Sequence, residues 1–128
     1  MNYLIDTHVL LWVMLNPSKL SDKAKSIIKD RKNGIYISKI SLWEIAIKIK
    51  IGKLEINMDF NRMIKSIIDN DIEILDLSTV HITETLKLPF HHRDPFDRLL
   101  IAQAKFEDFI FITKDEKLKK YKIKILWG

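Results

Sequence analysis

HHRDPFDRLLIAQA, residues 91–104, packs a helix start, two carboxylates one turn apart and an apolar helix into one short stretch. Asp94 is a good N-cap, Pro95 suits the first helical position, and Asp97 stands at the third. Leu100, Ile101 and Ala104 follow Asp97 at helical spacing, so they share its side of the helix. Asp97 therefore heads an apolar stripe. A carboxylate on a core-facing surface is costly unless something positive meets it. The plain alternative is a capping-box-like reciprocal bond between Asp94 and Asp97. This stretch alone does not choose between them.

Downstream, Phe109 to Ile112 reads as a strand, with Thr113-Lys114-Asp115 at its carboxyl end and a helical turn near Leu118. Lys122 to Trp127 alternates basic and apolar residues, as a half-exposed edge strand does. Upstream, Thr79 to Leu86 is a short helix, Ile72 to Leu75 a strand, and Met58 to Asp69 a helix with Phe60, Met63, Ile64, Ile67 and Ile68 facing in. Gly52 breaks the chain before it. Ser41 opens a helix that runs to about Lys50. Ile35 to Ile37 is a strand followed by Ser38, and Ser21 opens a helix to about Lys32, ended by Asn33-Gly34. Tyr3 to Ile5 is a short buried strand, then Asp6-Thr7-His8 leads into a helix over Val9 to Leu15 that Asn16-Pro17 stops. Strands alternating with helices predict one α/β domain over 1–128. Its architecture is a three-layer α/β/α sandwich with a mostly parallel central sheet.

With 47% hydrophobic and 30% charged residues, a chain of 128 residues can bury a real core. There is no cysteine, so any metal must use oxygen or imidazole ligands. The net charge of +5 admits a polyanionic partner such as nucleic acid. Met1-Asn2-Tyr3 has no basic leader, and the apolar run Val9 to Leu15 is far too short for a membrane span. A cytoplasmic protein without a membrane partner is expected.

Asp6 and Asp115 fall at strand ends, Glu44 and Asp97 at helix starts. In open α/β sheets, ligand sites gather at the carboxyl edge, and right-handed crossovers would bring these four acids to one cleft there. Each also has a bland local explanation. Asp6 or Thr7 can cap the helix that follows. Ser41-x-x-Glu44 is a capping box, and Glu44 with Lys48 is a favourable i,i+4 pair. Magnitude weighs for the cleft: like charges about 4 Å apart repel by roughly 4 kcal/mol at an effective dielectric near 20. A cluster of four would call for a cation. Hard divalent ions take oxygen ligands, turn water into a nucleophile and steady an in-line phosphoryl displacement. Arg93, Arg98, Lys48, Lys50 and Lys114 are candidates to hold a phosphate backbone, though each is individually a plain solvated charge. Thr7 and Ser41 could orient a water at such an ion, or cap their helices. His91 and His92 are adjacent and do not project as a ligand pair. Substrate contact or loop hydrogen bonding suits them better, and His8 stands beside Asp6.

Asp6-Thr-His-Val-Leu-Leu-Trp, Ser41-Leu-Trp-Glu-Ile-Ala-Ile-Lys, the stretch 91–104, Thr113-Lys-Asp115 and the closing Ile-Leu-Trp-Gly together resemble the PIN-domain proteins. More narrowly, they resemble VapC-type toxins of type II toxin–antitoxin pairs. The resemblance covers essentially the whole chain and finds the acids in the family's order. It implies a Mg²⁺- or Mn²⁺-dependent endoribonuclease, often acting on transfer RNA or other structured RNA. Asp6, Glu44, Asp97 and Asp115 would be both the catalytic and the metal-site acids. Asp94 belongs to the subgroup's motif and is a second-tier site residue, with Thr7, Ser41 and Thr113 beside it; Arg93, Arg98, Lys48 and Lys114 are substrate-contact candidates on their charge alone. It further implies a homodimer inhibited by a cognate antitoxin whose segment enters or covers the acidic cleft.

Two other readings compete. A PIN-like module could bind RNA or a partner without cutting. A phosphoacceptor receiver domain has a similar length and sheet, but it needs an acidic pair at the first strand, which is lacking, and leaves acids on helix starts unexplained.

Overall fold

The computed structural model describes all residues from Met1 to Gly128. Its strands are β1 (Asn2–Ile5), β2 (Gly34–Ser38), β3 (Ile72–Leu75), β4 (Ile110–Ile112) and β5 (Ile125–Leu126). They form one sheet in the order β3-β2-β1-β4-β5, and every neighbouring pair is parallel. Parallel pairs require crossovers. These are supplied by α1 (Thr7–Leu15), α2 (Asp22–Lys29), α3 (Lys39–Lys50), α4 (Phe60–Asp69), α5 (Thr79–Thr85) and α6 (Pro95–Glu107). Short 3₁₀ turns at Pro17–Lys19 and Glu116–Tyr121 complete the chain.

Side chains alternate across the sheet and so build two cores. Tyr3, Ile5, Ile35, Ile37, Ile72 and Ile112 pack with Val9 and Leu10 of α1, Ala24 of α2, Leu42 and Ile45 of α3, and Met63 and Ile67 of α4. Leu4 and Phe111 point the other way, onto Leu100, Ile101 and Ala104 of α6, with Leu118 and Tyr121. The result is the expected three-layer sandwich, with a sheet that is wholly parallel. α3 touches both α1 and α6 and contributes Ile40 to the second core.

The sheet order fixes where a site can form. The chain starts at the centre, steps to β2 and β3 with its helices on one face, then turns back over the other face to add β4 and β5. Right-handed crossovers demand that change of face. The strand order therefore reverses between β1 and β4. Outside the carboxyl ends of those two strands lies the crevice that doubly wound sheets use for ligands.

Some boundaries depart from the sequence reading. α3 starts at Lys39, with Ser38 as its cap accepting from Ile40 N at 3.1 Å. Ser41 thus lies inside the first turn, and the expected Ser41–Glu44 capping box does not form. α2 is capped by Ser21, whose hydroxyl accepts from Ala24 N, but ends at Lys29 rather than Lys32. The tight turn that follows delivers Gly34 against β1, where a Cβ would stand 2.3 Å from Asn2 Oδ1. The closing edge strand is only Ile125–Leu126, because Lys122 takes a left-handed conformation as the chain leaves the 3₁₀ turn. No helix is long and apolar enough to cross a membrane.

Candidate functional site

Asp6 follows β1 directly and occupies the cap position of α1, yet its side chain makes no capping bond. It is buried, and its Oδ2 accepts a 2.7 Å hydrogen bond from Thr113 Oγ1 at the end of β4. Thr113 Oγ1 also accepts from Asp115 N at 3.1 Å. One hydroxyl thus ties Asp6 to the loop that carries Asp115. Burial pushes the Asp6 carboxyl above its ordinary range, and the Glu44 charge adds to this. The Thr113 bond, the His8 charge and the Thr7 backbone N–H oppose it.

The hydroxyl of Thr7, buried at the first turn of α1, donates to Glu44 Oε1 at 2.9 Å and lies 2.8 Å from Ser41 Oγ. Thr7 has a single hydroxyl proton, so the Ser41 hydroxyl donates to it. Thr7 and Ser41 therefore fix Glu44 and do not cap their helices. The other Glu44 oxygen meets Lys48 Nζ at 3.2 Å, the expected i,i+4 pair.

Asp94 caps α6 as expected, its Oδ1 accepting from Phe96 N at 2.9 Å and Asp97 N at 3.2 Å. The Asp97 carboxylate instead faces His92, whose Nε2 lies 3.4 Å from Oδ2. Asp97 is raised from 3.8 to about 7. Burial is the main cause, followed by the charges of Asp94, Asp6, Glu44 and Asp115. Asp6, Glu44, Asp94 and Asp115 thus lie near enough to Asp97 for their charges to act on it. Asp115 is exposed at its rim, and its Oδ1 caps the 3₁₀ turn by accepting from Lys117 N at 3.0 Å.

No three acidic or histidine side chains stand together as a finished ligand cage. The donor set still fits a hard divalent cation. Every nearby acid offers oxygen, and burial and mutual repulsion raise Asp6 and Asp97 together, which an ion of opposite charge would relieve.

Among the predicted substrate contacts, Arg93 and Lys114 are exposed, Lys114 lying 5.9 Å over the Trp12 ring. Lys50 is exposed, and Lys48 is shared with Glu44. Arg98 must be corrected. It is buried, its Nη1 donating to Pro89 O and Tyr121 Oη, and its Nη2 to Thr85 O and Leu88 O. The loop between α5 and α6 has no helical or strand partners for these carbonyls, so it takes the guanidinium as its donor. Arg98 is committed there and cannot reach a phosphate. His8 is exposed beside Asp6, and His91 packs edge-on against Tyr121 at 4.8 Å. Sequence reading missed Tyr121 entirely and gave His92 no partner. Nothing local marks either, since their contact spans 29 residues.

The PIN domain family model matches residues 3–124. Solved structures of the same fold include VapBC2 from Rickettsia felis bound to a DNA fragment from its promoter, at 19% identity and TM-score 0.75, covering 100% of both chains. VapBC-1 from nontypeable Haemophilus influenzae matches at 17% identity and TM-score 0.68, over 98% of this chain and 97% of that one. VapBC-5 from Mycobacterium tuberculosis, a member of a family of toxin-antitoxin systems, matches at 16% identity and TM-score 0.65, over 99% and 98%. No curated protein matches the chain. At these identities the structural likeness concerns the fold.

Proposed function

Because this chain belongs to the PIN-domain family, we propose that it is a metal-dependent endoribonuclease toxin of the VapC type, held in check by a cognate antitoxin. The observation that carries the reading is the crevice between β1 and β4, where buried Asp6 and half-buried Asp97 share one electrostatic environment with Glu44 and Asp115. The toxin–antitoxin descriptions of the structural neighbours support the partner. One neighbour is also described as bound to a DNA fragment from its promoter, and another as bound to a DNA fragment. A nuclease domain has no need of that contact, and it is left with those complexes.

The four carboxylates would hold Mg²⁺ or Mn²⁺, which supplies Lewis-acid chemistry at a phosphodiester. This chain's own residues do the rest. Thr113 and Thr7 fix the directions of Asp6 and Glu44 by hydrogen bonding. Lys48 at the cleft and exposed Arg93 and Lys114 supply positive charge to an RNA backbone. The substrate is RNA, with structured RNA such as transfer RNA the first candidate, and the active form is a homodimer in the cytoplasm.

The test is cleavage of total RNA by the purified protein with Mg²⁺ or Mn²⁺, by a chelated sample, and by Asp6→Asn and Asp97→Asn. The reading expects cleavage only by the parent with metal. If both variants cut as well as the parent, it is wrong, and binding without cutting would favour the silent module.

A further inference from the structure

Four side chains, from the loop before α6, α6 itself and the second 3₁₀ turn, form a line of contacts that finishes on a site acid. Tyr121 is buried at the end of the 3₁₀ turn. Its phenolic oxygen lies 2.5 Å from His92 Nδ1. The same oxygen accepts from the His92 backbone N–H at 3.2 Å and from Arg98 Nη1 at 3.4 Å. His92 Nε2 is buried without a hydrogen-bonded partner, and the atom it faces is Asp97 Oδ2 at 3.4 Å.

Counting protons fixes the tautomer. A phenol has one proton and two lone pairs. Here two N–H groups occupy both lone pairs, so the O–H must point at His92 Nδ1. A neutral imidazole carries one proton, and with Nδ1 accepting, that proton sits on Nε2, the atom aimed at Asp97. Arg98 never loses its charge and is pinned by the carbonyls of Pro89, Thr85 and Leu88. Its N–H polarises the phenol and makes it a better donor.

We propose that Arg98, Tyr121 and His92 form a positioning relay for Asp97. The relay holds the imidazole in one tautomer and one orientation, so that Nε2–H is offered to Asp97 Oδ2 and the other oxygen stays free. His92 is thus a positioning residue acting through Asp97. The inference rests on the assignment of Asp97 to the cation site.

The full-length protein is titrated with Mn²⁺ alone at pH 8, free ion being counted by electron paramagnetic resonance. His92→Leu weakens binding by about 10- to 100-fold, the usual cost of losing an outer partner of a ligand. His92→Gln restores a donor of similar reach and stays within roughly threefold of the parent on the same scale. Tyr121→Phe keeps the ring and loses the O–H that donates to His92 Nδ1. Its nitrogen-15 spectrum shows His92 drifting from the Nε2–H form that dominates the parent. Equal Mn²⁺ binding by His92→Leu, a His92→Gln as weak as His92→Leu, or an Nδ1–H parent each overturns the relay. A parent that shows the ranking but cuts no RNA sinks the nuclease reading and leaves the relay standing. A parent that cuts RNA without the ranking does the reverse. A parent that binds no Mn²⁺ removes both.

Discussion

Thr113 Oγ1 donates to Asp6 Oδ2 across 2.7 Å, joining side chains 107 residues apart. Thr113→Val keeps the shape and removes the donor. Asp6 would then be a buried carboxylate short of a partner, with one of the influences that favour its ionised form gone. We expect Mn²⁺ affinity and RNA cleavage to fall by about 10- to 100-fold, as for other outer-sphere losses. Thr113→Ser, which keeps the hydroxyl, should recover most of both. Side-by-side titration and cleavage of the two variants checks this.

The Asp97 shift makes a signed prediction for stability. The folded protein keeps a proton up to about pH 7 that an ordinary aspartate gives up near 3.8. Between those values the folded state binds more protons than the unfolded chain, so stability falls as pH rises and levels off above about 7. Below about 4 this group contributes nothing either way. Asp97→Asn lacks the penalty. In metal-free protein at pH 8 its melting temperature should exceed the parent's by several degrees, on the order of 1–2 kcal/mol after screening. The gain should vanish near pH 4. A clear fall at pH 8 would return Asp97 to a capping role.

Cation binding should then be linked to protons. A bound divalent ion must displace the Asp97 proton, so apparent affinity weakens as pH drops below about 7. At a hundredfold excess over the dissociation constant, Mn²⁺ adds about 2.7 kcal/mol at pH 8. Melting curves with and without Mn²⁺ should separate widely at pH 8 and converge by pH 5.5, and a chelator should erase the gap. Equal gaps at both pH values would contradict Asp97 as a ligand.

Arg98 and Arg93 should behave oppositely on substitution. Arg98→Ala removes the buried guanidinium that donates to the carbonyls of Pro89, Thr85 and Leu88 and to the Tyr121 oxygen. A loss of about 3 kcal/mol follows, near 10 °C in melting temperature. Arg93→Ala, on an exposed side chain, should leave melting unchanged and weaken RNA binding, with a shallower salt dependence. Thermal melts and filter-binding isotherms separate the two.

The layers, and the placing of acids at strand ends and helix starts, were legible because they rest on local signals. Alternating apolar strands, Ser21 and Asp94 as caps, and acids at strand ends and helix starts all sit within a turn of what they control. The strand order and the partners of those acids were not legible, because they depend on distant pairing. Arg98 shows the difference. Its place after Asp94 reads as a charge beside a cleft, but the carbonyls of Thr85, Leu88 and Pro89 claim it. Ser41 shows the same on a smaller scale. Its capping pattern is genuine in sequence, but Ser38 begins the helix first, which frees Ser41 to hold Thr7.

The central position of β1 has a consequence for biosynthesis. Asp6 precedes Thr113 by 107 residues, so a nascent fragment that stops short of β4 cannot assemble the crevice. On the proposed function, no hydrolytic centre can form before β4 has been made. A prematurely terminated copy lacking β4 should likewise be harmless to the transcripts around it.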